Sequence, residues 1–376
     1  MKKRRSSDDK VIAPTKTEPS KERPMDTSKY IGMDVHMATT VISVVDSIGK
    51  VVSEAILETK STTIIDFLKS QRGTIHVAFE EGTQAAWLHD LIYPHVSEVL
   101  VCNPREIHDY DNKDDKGDAK RIAELLRTNG LKAVYHGEHG TKALKELTRS
   151  YGAILSDSTR VKNRLKGIFR GRGICCSGTT VYSKKGRDQW LKKLDDIAIR
   201  SRISKQFKEL DCLTELRNEA EKELLAEARK HPATKILRSI PGIGPLRAAV
   251  ILGFTITPHR FRTKSQFWKY CGLAVTSEVT GEYVIIDGRV ARSRKKPLVR
   301  GLNINYNHAL KEAFKGAATT AAMGVWRSHF DTMVTNGTRS ALVLLTLARK
   351  ISSITLAVWK KGELYDSDKL KFMHAE

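Results

Sequence analysis

Near the start of the chain an apolar run, Tyr30-Ile31-Gly32-Met33, ends in a single carboxylate, Asp34. Two strand-like stretches follow at once, residues 39–47 and 50–59, joined by the Gly-containing turn Ser47-Ile48-Gly49-Lys50. The pattern then alternates. Residues 61–70 have helical spacing, 73–80 read as a buried strand, 83–96 as a helix, 97–104 as a strand and 118–130 as a helix. Thr83 is placed to cap the second helix, Asp118 falls in the first turn of the third, and Gly130 is its stop. Three meandering strands followed by strands that alternate with helices predict a mixed sheet covered by helices over residues 28–137.

From 138 to 231 only the helical period remains. Leu144, Leu147, Tyr151, Ile154, Val161, Leu165 and Ile168 share one stripe. A second long helix is expected from Arg187 to Lys230, with Leu194, Ile197, Ile203, Phe207, Leu210 and Leu213 on its stripe. Two such helices joined by a loop over 171–180 predict an antiparallel hairpin or coiled coil. Its apolar stripes are expected to carry contacts between copies of the chain. Residues 232–376 form a third segment, with helices expected near 304–317, 321–335 and 339–360. Residues 1–27 are almost free of apolar side chains and read as a disordered basic tail.

Charge narrows the function. The 376 residues hold 65 Lys and Arg against 43 Asp and Glu, a formal net charge of +22. That excess calls for a polyanionic partner, nucleic acid first and an anionic lipid surface second. No uninterrupted apolar stretch of about 18 residues is present, so no membrane-spanning helix is expected. The first residues lack the apolar core of a secretory signal. The five cysteines have no metal-binding spacing and read as reduced thiols of a cytoplasmic protein. Arg160 and Arg164, on the basic face of the first long helix, are either solvated or in contact with nucleic acid.

Four acids stand out. Asp34 and Glu80 end strands that central pairing would set side by side, and Asp115 and Asp118 share one face at a helix start. Four carboxylates held close together raise one another's pKa unless a cation compensates. Hard divalent ions such as Mg²⁺ take oxygen ligands, and a pair of them clamps a phosphodiester during in-line displacement. The bland alternative is a set of solvated acids at strand and helix ends. Further on, the Pro-Gly-Ile-Gly-Pro run at 241–245 has the form of the turn in a helix-hairpin-helix. There Gly242 and Gly244 let backbone approach a phosphate, beside free N–H groups at the next helix N-terminus. An ordinary helix–helix turn has the same form.

These motifs, in this order, closely resemble one family over residues 28–366. GMDVH (32–36), FEEGTQAAWL (79–88), DDKGDAKRIAELL (114–126), SIPGIGPLRAA (239–249), YCGLAV (270–275), the basic run to VRGLN (299–303) and LTLARKISSITLAVWKKGE (345–363) carry the likeness. The family is the insertion-sequence transposases that pair an N-terminal RuvC-like DEDD domain with a C-terminal serine domain, with the bridge-RNA-guided recombinases among its members. The resemblance implies an α/β plus α fold: an RNase H-like mixed-sheet domain, a long coiled-coil hairpin, and a mainly helical last domain with the helix-hairpin-helix. It implies Asp34, Glu80, Asp115 and Asp118 as a tetrad binding Mg²⁺ or Mn²⁺. It also implies donor and target double-stranded DNA, a structured guide RNA, and assembly as a homodimer or homotetramer.

One position departs from the pattern. Thr280 stands where the family carries its nucleophilic serine, and Ser277, three residues earlier, is the nearest serine. Threonine has the hydroxyl, but its methyl restricts χ1 and crowds the approach to phosphorus. The run 289–300 that follows has six basic residues and no acid. Within it Arg292, Arg294, Lys295, Lys296 and Arg300 suit phosphate neutralisation. Three functions fit: strand transfer through a protein–phosphate ester, metal-dependent structure-specific cleavage by water, or nucleic-acid binding by a chain that has lost catalysis.

Overall fold

A computed structural model describes residues 27–103, 115–134, 142–278, 283–286, 289–292 and 298–368. All but the last residue of the expected basic tail lies outside them. The chain divides into two compact units, up to His136 and from Gly137.

The first unit holds β1 (Lys29–Val35), β2 (Thr39–Asp46), β3 (Val51–Glu58), α1 (Ser61–Ser70), β4 (Ile75–Glu80), α2 (Ala85–Ile92), β5 (Glu98–Cys102) and α3 (Asp115–Arg127). The sheet order is β3-β2-β1-β4-β5. The strands joined by short turns, β1–β2 and β2–β3, pair antiparallel, whereas β1–β4 and β4–β5, separated by helices, pair parallel. This mixed five-stranded sheet fits an RNase H-like domain.

Strand parity sorts the side chains. Ile31, Met33, Val77, Phe79 and Val101 bury against Ile64 and Leu68 of α1 and Leu88 and Ile92 of α2. Ala78 and Cys102 pack on the other face against Ile122 and Leu126 of α3. Gly32 belongs to that second face. A Cβ there would lie 2.0 Å from the Ala119 carbonyl oxygen and 2.5 Å from the Ala123 nitrogen. The missing side chain is therefore what lets the backbone of α3 rest on β1.

The helices expected near 304–317 and 321–335 are His308–Met323 and Arg327–Thr335, and three other departures from expectation have a local cause. Helix α2 is shorter than 83–96 because Pro94 falls in a single 3-10 turn after Ile92, and its N-cap is Gln84 without a side-chain bond, so Thr83 does not cap it. Asn129, at φ 53°, takes the left-handed position after α3, and Gly130 N–H donates back to Leu125 O. The single helix expected from Arg187 to Lys230 is two, α5 (Arg187–Leu191) and α6 (Ile197–Arg229). Asp196 caps α6 by accepting from Ala198 and Ile199 N–H, which leaves Ile197 exposed rather than on the buried stripe.

The second unit begins with α4 (Lys142–Arg170), which packs along α6. Arg164 meets Glu209 while Tyr151 meets Glu221, so the two helices run antiparallel. Near their connection Val161, Leu165 and Phe169 pack on Ile203, Phe207 and Leu210. At the other end Leu144, Tyr151, Ala220, Leu224 and Ala228 join a larger core. Leu147 and Ile154, partly buried, pack against that core within the same chain.

That core is completed by α7 (Ala233–Arg238), α8 (Pro245–Thr255), α9 (Lys264–Tyr270), α10 (His308–Met323), α11 (Arg327–Thr335) and α12 (Ser340–Lys361). Two small antiparallel pairs, β6 (Val275–Glu278) with β9 (Leu298–Leu302) and β7 (Tyr283–Ile286) with β8 (Arg289–Arg292), lie between α9 and α10 in the chain. By length and composition α12 is apolar enough to cross a membrane, although no unbroken apolar run announces it. Its Val343, Leu347, Ile351, Leu356 and Trp359 are buried in the core, as in the central helix of a globular unit.

Candidate functional site

The first-unit site forms at one edge of the sheet, on the face that α3 covers. Met33 of β1 is in register with Phe79 of β4, so Asp34 and Glu80, the next residue on each strand, leave the sheet side by side on one face. Asp115 and Asp118 occupy the first turn of α3, which Gly32 seats on the same face. Three ligand-bearing atoms converge: those of Asp34, His36 and Asp115 all lie within 4.8 Å of one another. His36 Nε2 is 3.2 Å from Asp34 Oδ2 and 3.5 Å from Asp115 Oδ2.

Burial is the largest influence on Asp34 and lifts its pKa above the ordinary carboxylate value. His36 opposes that rise, while the charges of Asp115 and Asp118 add to it. Asp118 is thus within electrostatic reach of Asp34, and a cation at this edge would relieve the repulsion. The donor set of carboxylate oxygens with one imidazole nitrogen suits a divalent ion. His36 was not singled out by charge or spacing of acids. The usable signal was the alternation Asp34-x-His36 at a strand end, which puts both side chains on one face.

In the second unit the Pro-Gly-Ile-Gly-Pro turn links α7 to α8, and its two glycines differ. Gly242 has φ +82°, and a Cβ there would lie 2.2 Å from the Ala317 carbonyl oxygen of α10. Arg247 also donates to Gly242 O at 2.9 Å and to Thr320 Oγ1 at 3.2 Å. Gly242 is therefore engaged in packing the turn on α10. Gly244, the N-cap of α8, has open space where a Cβ would go. Of the pair, only Gly244 leaves that space open.

Thr280 lies outside the described residues, as do Arg294, Lys295 and Lys296. Ser277 is a strand residue of β6, opposite Val299 of β9. Arg292 ends β8, paired with Tyr283, and Arg300 is in β9. The base of this region is anchored by residues that motif spacing did not single out. Arg349 of α12 donates from Nε to Leu273 O at 2.6 Å, and Trp268 Nε1 donates to Arg349 O at 3.0 Å. Asn303 Nδ2 donates to Lys269 O at 2.9 Å and ties the end of β9 to α9.

The predicted phosphate contacts on α4 have partners of their own. Arg160 pairs with Asp157 at 2.7 Å and Arg164 with Glu209 at 2.6 Å. Residues 160–208 nonetheless hold 15 Lys and Arg against three Asp and no Glu, more than half of the net charge of the chain. Lys184, Lys185, Lys192 and Lys193 are exposed there.

Two family models match the chain. The DEDD transposase model of the IS110 type covers residues 31–172, and the model of the IS116/IS110/IS902 transposase family covers residues 234–330. The transposase for insertion sequence element IS1111A of Coxiella burnetii is 23% identical over 357 residues, covering 92% of this chain and 93% of that protein. A putative transposase of Sinorhizobium fredii is 22% identical over 89% of this chain and 85% of its own length. A protein of insertion element IS110 from Streptomyces coelicolor is 30% identical over 159 residues, 42% of this chain and 36% of its own.

Proposed function

The chain belongs to the IS110 family of insertion-sequence transposases, and we propose that it cuts and rejoins DNA, with metal-binding acids in the first unit and a nucleophile in the second. In the first unit Asp34, Glu80, Asp115 and Asp118 hold divalent metal. The observation that carries this is the convergence of Asp34, His36 and Asp115 at the sheet edge, with Asp34 and Glu80 each one residue beyond the paired Met33 and Phe79. Mg²⁺ or Mn²⁺ held by these residues would supply positive charge against the charge that develops on a phosphodiester during displacement.

In the second unit Thr280 is the nucleophile. Its Oγ forms a bond to phosphorus, one phosphorus–oxygen bond to the DNA strand breaks, the Thr280 proton is lost and the leaving strand oxygen gains one. Arg292, Arg294, Lys295, Lys296 and Arg300 neutralise the phosphates around that step. Gly244 with the N-terminus of α8 holds a further backbone phosphate, in a helix-hairpin-helix with α7. The basic segment 160–208 tracks donor or target DNA, or a structured guide RNA that pairs with them. The α4–α6 pair acts as a coiled coil in a homodimer or homotetramer.

Cleavage of a labelled DNA substrate tests the mechanism. A covalent protein–DNA adduct is expected, absent in Thr280→Val, which keeps the branched shape, and at least equal in Thr280→Ser. Asp118→Asn should abolish both cleavage and adduct. If Ser277→Ala removes the adduct instead, the nucleophile is Ser277. Metal-dependent cleavage that never yields an adduct would establish water as the attacking group.

A further inference from the structure

We propose that His36 is itself a metal ligand, and that with Asp34 and Asp115 it makes a mixed nitrogen–oxygen site that prefers Mn²⁺ to Mg²⁺. This rests on reading the acidic edge as a divalent-cation site, and it goes further in assigning a nitrogen to the coordination sphere. Position comes first. His36 is two residues beyond Asp34, so strand alternation turns both side chains to the face where α3 places Asp115. Its backbone is held at two points, and the turn that follows it at a third. His36 N–H donates to Thr39 O at 2.9 Å, its carbonyl accepts from Thr59 Oγ1 at 2.9 Å, and Thr59 N–H donates to Ala38 O at 2.9 Å. The imidazole is thus carried by a tied turn between β1 and β2, with its base fixed before any ion arrives.

Geometry comes second. Two ligands at right angles on an octahedral ion, with bonds of about 2.1 Å, lie about 3 Å apart. The separations of Nε2 from the two carboxylate oxygens, 3.2 and 3.5 Å, are close to that edge length. The same ring nitrogen faces both acids: without an ion it is placed to donate a hydrogen bond to Asp34, and with its proton on Nδ1 instead it would offer a lone pair to an ion between them.

Donor chemistry decides the preference. Mg²⁺ takes oxygen ligands and keeps its waters, whereas imidazole nitrogen favours ions further along the transition series. Of the two ions compatible with the carboxylates, a nitrogen ligand therefore shifts the balance to Mn²⁺.

Mn²⁺ titration of the full-length protein, purified without a histidine tag and followed by electron paramagnetic resonance, tests the proposal. Expected is stoichiometric Mn²⁺ with a nitrogen-14 coupling in the pulsed spectrum. In His36→Ala that coupling should vanish, Mn²⁺ affinity should fall about tenfold, and the Mn²⁺-over-Mg²⁺ preference in competition should shrink. His36→Asp, which swaps nitrogen for oxygen, should restore Mn²⁺ binding without the coupling. Binding with no nitrogen coupling in the wild type, or a coupling that survives in His36→Ala, overturns the proposal while leaving the carboxylate site intact. No Mn²⁺ binding by the wild type overturns the cation site as well.

Discussion

Single side chains in this molecule are assigned by what they touch. Gly242 and Gly244 look equivalent in the sequence, yet one packs on the backbone of α10 and the other faces open space. Lys350 is a comparable case among the charged residues. It follows Arg349 on α12, and burial pushes its pKa down to about 8. Its charged form is therefore disfavoured in the folded state relative to the unfolded chain, whose lysine titrates near 10.5. Below about pH 8 the folded protein bears the cost of that charge in full. As pH rises from about 8 to 10.5 the cost disappears, because the folded form has already given up its proton. Lys350→Met should accordingly stabilise the protein at pH 7 by about 1 kcal/mol after solvent screening. That corresponds to a Tm rise of roughly 2–4 °C. The gain should fade towards pH 10.5, and a thermal melt at pH 7 and pH 10 checks it. An equal gain at both pH values would assign the effect to packing rather than to charge.

At the scale of elements the decisive contact is between β1 and α3. The carboxylates of α3 reach the edge of the sheet because Gly32 lets two backbones meet without a side chain between them. Gly32→Ala places a methyl 2.0 Å from a carbonyl oxygen that belongs to the backbone of α3, so relief requires the whole helix to move. The expected destabilisation is about 1–3 kcal/mol. Displacement of Asp115 and Asp118 should also weaken Mn²⁺ binding, although neither acid is altered. A chemical denaturation curve and a Mn²⁺ titration of the same variant measure the two effects. Unchanged binding would show that α3 does not depend on this contact for its position.

Over the whole molecule the long helices α4 and α6 have two roles along their length. Their connected end forms its own core, and their other end supplies Leu144, Tyr151, Ala220, Leu224 and Ala228 to the core of the helices that follow. Each large apolar side chain stripped of such contacts costs about 1.5–3 kcal/mol. Several of them together equal the whole stability of an ordinary domain, about 5–15 kcal/mol. A fragment of residues 232–376 should therefore fail to fold alone, whereas residues 137–376 should melt cooperatively. Circular dichroism and calorimetry of the two fragments test this, and a cooperative melt of 232–376 would make the boundary near 231 an independent folding boundary.

Local pattern alone determined much of this protein. Period-two and period-three-to-four spacing marked the strands and most helices, and α1 matches the expected 61–70. Pairing of central strands predicted Asp34 and Glu80 side by side, and the register of Met33 with Phe79, one residue earlier on each strand, supports it. Motif order pointed to the family that the matches then supported. Tertiary structure decided what short-range signals cannot encode. The placement of His36 between Asp34 and Asp115 depends on where a helix some 80 residues later comes to rest. The break before α6 depends on Asp196 turning back to cap it, and Ile197 kept its helical spacing in the sequence even though it faces solvent. Arg349 holds Leu273 across 76 residues of chain. Periodicity reports which way a side chain points within its own element, and only the packing of elements fixes what it meets there.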